Sequence, residues 1–469
     1  MAVFITSQLG QPAATNGPNE VAAIDRSDQL VGSRVDDADV GRYLIGEDDA
    51  VPRARYTSPE FAALEFDLLW SRIWQVACRE EEIAEVGAFS EYLIGDQSIL
   101  VVRSGPEEIR AFHNSCLHRG TRLGEGTGRF DDGCIRCRYH AWQYDLEGHL
   151  LVVVDREEFD PIPSDICLPP VRVERWGGFV WICLDPDAPG LLEYLEPLPG
   201  LLAPYHLDRL RLRTYLSTVL PANWKVAVDA FNEGYHVQGT HPQLLPWTDD
   251  VSLEYEPLGI HAHYGRLPTA RRELRPSPRL GLKEGEYDEG EILERFIAGL
   301  GALFYKDESA LVEEIRALPS DGATMLSRYQ KGRRALLEAR GVDVEPFSDD
   351  QLTSADDVYF FPNMVGPIYP GTAILFRVRP NGLDPHSCIK DTWFLEWPDP
   401  AKPPRRVERR FFPDWRERDW GEITNQDYSN MEHVQVGMRS RGGGSFRLNR
   451  RQEVNLLHMH LMIDRYLTA

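Results

Sequence analysis

Apolar residues recur with different periods in different stretches of this chain, and the changes divide it into parts. From Ser58-Pro59-Glu60 onward, Phe61, Leu64, Leu68, Leu69 and Ile73 return at three- and four-residue steps. That spacing predicts a helix, with Ser58 able to cap it and Pro59 suited to its first turn. Between about Trp74 and Pro186, short β-rich runs (Tyr92–Ile94, Ser98–Arg103, Phe179–Leu184) alternate with Gly-rich loops, which reads as a small all-β domain. Farther on, Leu212–Leu220 reads as a strand, Trp224–Tyr235 as a helix, Ala373–Arg379 and Ile389–Trp397 as strands, and Val454–Tyr466 as a closing helix. Charged amphipathic stretches, Glu291–Leu303 and Ser309–Leu318 among them, make a helical insert at about 285–340. The expected fold class is α+β. An arm (1–54) begins polar and aperiodic with Asn16-Gly17-Pro18; a helix (55–73), an all-β domain (74–186) and a large α+β domain (187–469) follow.

Length and composition narrow the partners. The 469 residues allow two to four domains at ~100–200 residues each. No apolar run approaches the ~18 residues of a membrane span, so no membrane partner is expected. The start, MAVFITSQLG, lacks the basic flank and apolar run of an export signal, so a cytoplasmic location is expected. Lys+Arg 51 against Asp+Glu 74 gives a net charge of −23, which repels a phosphate backbone and makes nucleic acid a poor partner. The basic clusters Arg271–Arg272 and Arg405–Arg410 lie near acidic residues and read as solvated faces. Seven cysteines, an odd number, argue against a disulfide framework, and three of them crowd beside histidines at 116–137.

That crowding has a pattern. Cys116-x-His118 and Cys137-x2-His140 are two Cys/His pairs, with Gly120, Gly124, Gly126, Gly128 and Gly133 between them to form tight loops. Thiolates and imidazoles are ligands that iron and zinc both accept. The motif resembles the Rieske [2Fe–2S] domain, which implies that Cys116 and Cys137 hold one iron and His118 and His140 the other. A zinc site is the competing reading, aided by Cys134-x2-Cys137, although Cys-x-His is closer than the usual zinc spacing. Thr121 and Tyr139 stand where the respiratory type of Rieske domain has an additional disulfide, which favours the oxygenase type.

A second constellation follows in Asn223–His236 and Thr240-His241-Pro242. On a helix Glu233 and His236 would lie about 60° apart and share a face, whereas His236 and His241 would diverge by roughly 140°. Pro242 disfavours α geometry at His241, so the helix is expected to end or distort there and let the second imidazole swing back. Two imidazoles and a distant carboxylate make the facial triad of non-haem iron(II). The spacing resembles the catalytic domain of the Rieske oxygenases, which implies Asp427 as third ligand, with Glu432 as a nearby rival. The family carries a carboxylate three residues before the first iron histidine, bridging to the cluster histidine of a neighbouring subunit. Glu233 occupies that place, where aromatic-ring dioxygenases usually have Asp.

The resemblance, to the α (catalytic) subunit of the ring-hydroxylating dioxygenases, covers about residues 55–469. It implies a helix-grip (START/Bet v1-like) catalytic domain with an antiparallel sheet, a mononuclear Fe(II) beside the [2Fe–2S] cluster, and a homotrimer with or without a β subunit. It also implies NAD(P)H-derived electrons from a separate reductase, with or without a ferredoxin. The chain shows no Gly-x-Gly-x2-Gly after a predicted strand, so the nicotinamide chemistry lies in another protein. The activity implied is hydroxylation, with O2, of an aromatic or other hydrophobic small molecule, by ring dihydroxylation or by monohydroxylation and demethylation. The alternative is a zinc-stabilised helix-grip ligand-binding protein without redox activity. His261 and His263 read as pocket or surface residues, His458 and His460 as packing or solvent residues. Asp229 reads either as the partner of an iron histidine or as a plain helix-face carboxylate.

Overall fold

A computed structural model describes residues 40–469, save 47, 160, 266–273, 284, 320–321 and 403–404. Most of the expected arm and the pair Arg271–Arg272 lie outside the described residues.

The helix expected after Ser58 is present as Pro59–Glu65, and the Ser58 hydroxyl accepts the Phe61 amide at 3.2 Å. It does not continue regularly to Ile73, because Phe66–Trp70 widens into a π-helical turn. Glu65 and Trp70 thereby reach the second domain. Glu65 Oε1 accepts from Lys225 Nζ at 2.7 Å, and Trp70 lies edge-on to Trp224 at 5.0 Å.

The all-β domain is a seven-stranded antiparallel sheet. Its order is Gln75–Arg79, Phe179–Cys183, Pro170–Trp176, Ile109–His113, Gln97–Arg103, Ala88–Ile94, Thr127–Arg129. A small sheet of Cys134–Arg136, Gln143–Asp145 and Leu150–Val152 stands beyond it. Phe89, Leu100, Phe112, Ile135, Trp142 and Tyr144 form a core of their own under the Cys/His loops.

The second domain holds an eight-stranded sheet, Glu254–Leu258, His261–Gly265, Asp356–Phe360, Met364–Tyr369, Thr372–Asn381, Asp384–Glu396, Arg211–Leu220, Arg409–Phe412. Pairing is antiparallel except at the edge, where Arg409–Phe412 runs parallel to Arg211–Leu220. The insert forms helices Glu289–Gly299, Asp307–Ala317 and Met325–Ala339 over one end of the sheet.

Alternation along Asp384–Glu396 sorts its side chains to two faces. Asp391 and Trp393 point toward the all-β domain: Asp391 Oδ2 accepts from Arg377 Nη2 at 2.6 Å, and Arg377 Nη1 donates to the carbonyls of Val76 and Ala77. Trp393 packs on Phe179, ring centres 5.2 Å apart. Lys390, Thr392 and Phe394 take the other face, Lys390 toward the long helix Glu422–Met438 and Phe394 against the core of the helical insert.

Candidate metal centres

The two Cys/His loops are built alike. Cys116 N donates to Thr121 O at 2.9 Å while Gly120 N donates to Cys116 O at 2.8 Å. Cys137 N donates to Trp142 O at 2.8 Å while Ala141 N donates to Cys137 O at 3.1 Å. Each turn closes through a left-handed residue, Gly120 (φ +73°) and Ala141 (φ +55°). Glycine adopts that conformation freely; alanine does so only where surrounding bonds impose it.

The loops bring their histidines together, His118 edge-on to His140 with ring centres 4.4 Å apart, and His118 stacked on Trp142 at 5.1 Å. His118 Nδ1 is buried without a hydrogen-bond partner, a costly arrangement unless a metal takes the lone pair. Cys137 is reached by the amides of Tyr139 and His140, by the Cys116 thiol and by the Thr121 hydroxyl. Burial pushes its thiol up, but these donors outweigh it and hold the thiol below its ordinary value. The Tyr144 hydroxyl lies 3.3 Å from Cys116 Sγ. His118 thus lies beside His140 and Cys116 beside Cys137, a donor set suited to a cluster with one thiolate-bound and one imidazole-bound iron. Cys134 turns aside to Gln143 Oε1, 3.6 Å away, and all seven cysteines are free. Cys134, the cysteine whose spacing from Cys137 suited zinc, is thus engaged with a side chain outside the four.

At the second constellation the helix is shorter than expected. Asn223 caps it, its Oδ1 accepting from Lys225 N at 3.1 Å, and it ends at Asp229 rather than running to Tyr235. Glu233 and His236 therefore do not share a helix face. A turn joins them instead, in which Glu233 Oε2 accepts the amides of Tyr235 and His236 and Oε1 lies 2.5 Å from His236 Nδ1. The side chain replaces the helical carbonyls that would otherwise take these amides. A short helix, Val237–Thr240, ends before His241 (φ −124°, ψ 52°), where Pro242 was expected to stop it.

His241 Nε2 then lies 2.8 Å and His236 Nε2 3.7 Å from Asp427 Oδ1, and ligand atoms of the three residues all lie within 4.8 Å of one another. Ligands ~2.1 Å from a common ion would be ~3 Å apart when cis, so this trio suits one metal with little movement. Each imidazole has its other nitrogen occupied, His236 Nδ1 by Glu233 and His241 Nδ1 by Gln426 Oε1 at 2.7 Å. Both Nε2 atoms are thereby left free to hold an ion. Burial opposes a charge on His236, but Glu233 and Asp427 outweigh it and hold the imidazole above its ordinary value. His241, Asp427 and Glu233 are buried, and His236 sits at the rim with its side chain 21% exposed.

Other histidines and carboxylates resolve differently. Glu432 pairs with Arg416, away from the trio. Asp229 meets no iron histidine; its Oδ2 accepts from Tyr56 Oη at 2.7 Å, and Tyr56 Oη also lies 2.8 Å from His460 Nε2. His261, pushed down to about 4 by burial, ties the Tyr194 carbonyl to the Phe361 amide. His263 contacts Asp356 at 3.1 Å. Gln426, Tyr144 and the stacking role of Trp142 were not foreseen; for Gln426 the only signal is its place beside Asp427.

An all-β domain presenting two Cys/His loops, joined to a sheet-and-helix domain presenting two imidazoles and a carboxylate, is the build of a two-centre iron oxygenase. The family model described as the Rieske [2Fe-2S] domain matches residues 73–163. That of the ring hydroxylating alpha subunit (catalytic domain) matches residues 207–469, more than half of the chain, and the chain belongs to this family. It is 28% identical to the glycine betaine monooxygenase oxygenase subunit of Chromohalobacter salexigens, over 88% of this chain and 84% of that one. It is 34% identical to the carnitine monooxygenase oxygenase subunit of Escherichia coli K12, over 44% and 54%. Among solved structures, a quaternary ammonium Rieske monooxygenase in complex with L-carnitine aligns with TM-score 0.61 at 17% identity, covering 91% of this chain and 98% of that one. Naphthalene 1,2-dioxygenase from Rhodococcus sp. aligns with TM-score 0.60 at 20% identity, covering 92% and 96%. The chain is accordingly the terminal oxygenase component of a Rieske-type system. It carries a Rieske cluster and a mononuclear iron, and hydroxylates a small molecule with O2 and reductase-derived electrons.

Proposed function

We propose that the chain catalyses a single hydroxylation, with Cys116, His118, Cys137 and His140 holding the cluster and His236, His241 and Asp427 the iron. The convergence of His236, His241 and Asp427 carries this reading. Glu233 in place of the dioxygenases' Asp, and relatives named as monooxygenases, support single hydroxylation over ring dihydroxylation. When bound, the cluster supplies single electrons and the ferrous ion supplies the oxygen chemistry.

The protein's share is positioning. Glu233 and Gln426 hold the two imidazoles in the tautomer that leaves Nε2 free. Asp427 and His241 are buried, so His236 is the open edge of the trio. Glu233 has a second role, as the bridge to the cluster histidine of a neighbouring copy. The family resemblance supports an electron path that crosses from the cluster of one chain to the iron of a neighbouring one. The cluster tip exposes Tyr139 (57%), Leu151 (54%) and Val154 (46%), an apolar rim suited to being covered, and a ring-shaped homotrimer is the assembly that covers it. The free thiols fit a reducing, cytoplasmic location; among the described residues no helix is long and apolar enough to cross a membrane.

Anaerobically purified protein should be red-brown, with about three irons and two labile sulfides per chain. With a generic reductase it should convert one member of a panel of methylated amines and aromatics to a product bearing one oxygen atom from O2. A colourless zinc protein, or a cis-dihydrodiol product, would overturn this reading.

A further inference from the structure

The face of the sheet that looks toward the iron site carries a cation with no anion. Lys390 is 1% exposed, in the middle of Asp384–Glu396. Its Nζ donates to Tyr428 Oη at 3.1 Å and to Thr392 Oγ1 at 3.4 Å, and no carboxylate among the described residues comes within ion-pair distance of it. The nearest negative charges are engaged elsewhere: Asp427 with His241, and Asp391, on the opposite face, with Arg377. Three rings enclose the ammonium, Phe376 at 3.8 Å, Phe231 at 4.5 Å and Tyr428 at 5.0 Å from their centres.

The segments that build the trio also build this enclosure. Phe231 precedes Glu233 by two residues, and Tyr428 follows Asp427 on the same helix. An aromatic enclosure around a cation is the usual means of holding a quaternary ammonium ligand. Here the enclosed cation is the protein's own. Cation–π contacts and two neutral acceptors compensate a buried charge only in part, and burial pulls Lys390 down to about 7. An arriving anion would supply the missing partner.

We propose that Lys390 determines specificity by anchoring a carboxylate of the substrate, while the part to be hydroxylated faces the iron trio. This rests on the oxygenase reading above and names the substrate class for the same site: small carboxylic acids, with any cationic group held outside the Phe231–Phe376–Tyr428 enclosure.

Calorimetric titration of the holoenzyme with matched pairs, glycine betaine against choline and benzoate against benzamide, tests this directly. The carboxylate of at least one pair should bind at least about tenfold more tightly than its neutral-ended partner, the increment of one charge-assisted hydrogen bond. Lys390→Met should abolish that preference and Lys390→Arg should keep it; if the Met variant does not fold, Lys390→Gln replaces it. Equal or undetectable binding within both pairs in the wild type, or a preference unchanged in the neutral variant, would overturn the proposal. Iron and labile sulfide are measured on the same preparations, so a fully loaded protein without carboxylate preference loses this inference alone.

Discussion

Glu233 fixes the proton on His236 Nδ1 and at the same time pins the turn that carries that histidine, so its charge and its shape can be tested apart. Glu233→Gln retains an accepting oxygen and loses the charge. Both metals should remain at wild-type content while reductase-driven turnover falls by about 100-fold; wild-type turnover would remove the bridging role. Gln426→Leu leaves His241 Nδ1 unpartnered and should weaken iron binding about 10–100-fold in a chelator titration, with the cluster spectrum unchanged. Burial raises Asp229 to about 8, against an ordinary value near 4. The folded chain therefore binds more protons than the unfolded one between those values, and stability falls as pH rises through that window. Asp229→Asn should flatten the slope, so that its melting temperature gains on the wild type from pH 5 to pH 8. His236 and His241 stand out in the sequence because metal chemistry restricts residue type and spacing, whereas Asp427 and Glu233 stand out only through the family resemblance. Asp229 finds Tyr56 from 173 positions away and Lys390 finds Tyr428 from 38, so neither environment is written locally.

Most helices and strands follow from apolar period, and their ends follow less well. The helix after Asn223 stops at Asp229, and farther along Glu233 captures the amides of Tyr235 and His236 in a turn, a side-chain competition that periodicity does not register. The strand pair Thr372–Asn381 and Asp384–Glu396 also holds the two domains together through Arg377 and Asp391. Burial pushes Asp391 up, but Arg377 and Arg379 outweigh it and hold it well below the usual carboxylate range. Its stabilisation is full above the ordinary carboxylate value near 4 and is lost as pH falls below that value. Asp391→Asn should cost about 3–5 kcal/mol in denaturant unfolding, because Arg377 would stay buried without its counter-charge.

At the scale of the assembly, the fold class and two-domain plan are legible from length, period switches and the two motifs, whereas subunit arrangement is written only in surfaces. Chains lacking the cluster (His140→Ala) and chains lacking the iron (Asp427→Ala) should each be inactive alone. Co-expressed at equal levels, they should recover roughly a quarter of wild-type turnover, the chance that a good cluster meets a good iron across a head-to-tail contact. Zero recovery would place electron flow within one chain. Arg377 clasps the backbone at Val76 and Ala77, so the two metal-bearing halves of a protomer behave as one stiff piece. No swinging of one half against the other is then available to open or close the electron gap. Dilution becomes the throttle: as protomers separate, specific activity should vanish while each one keeps its colour.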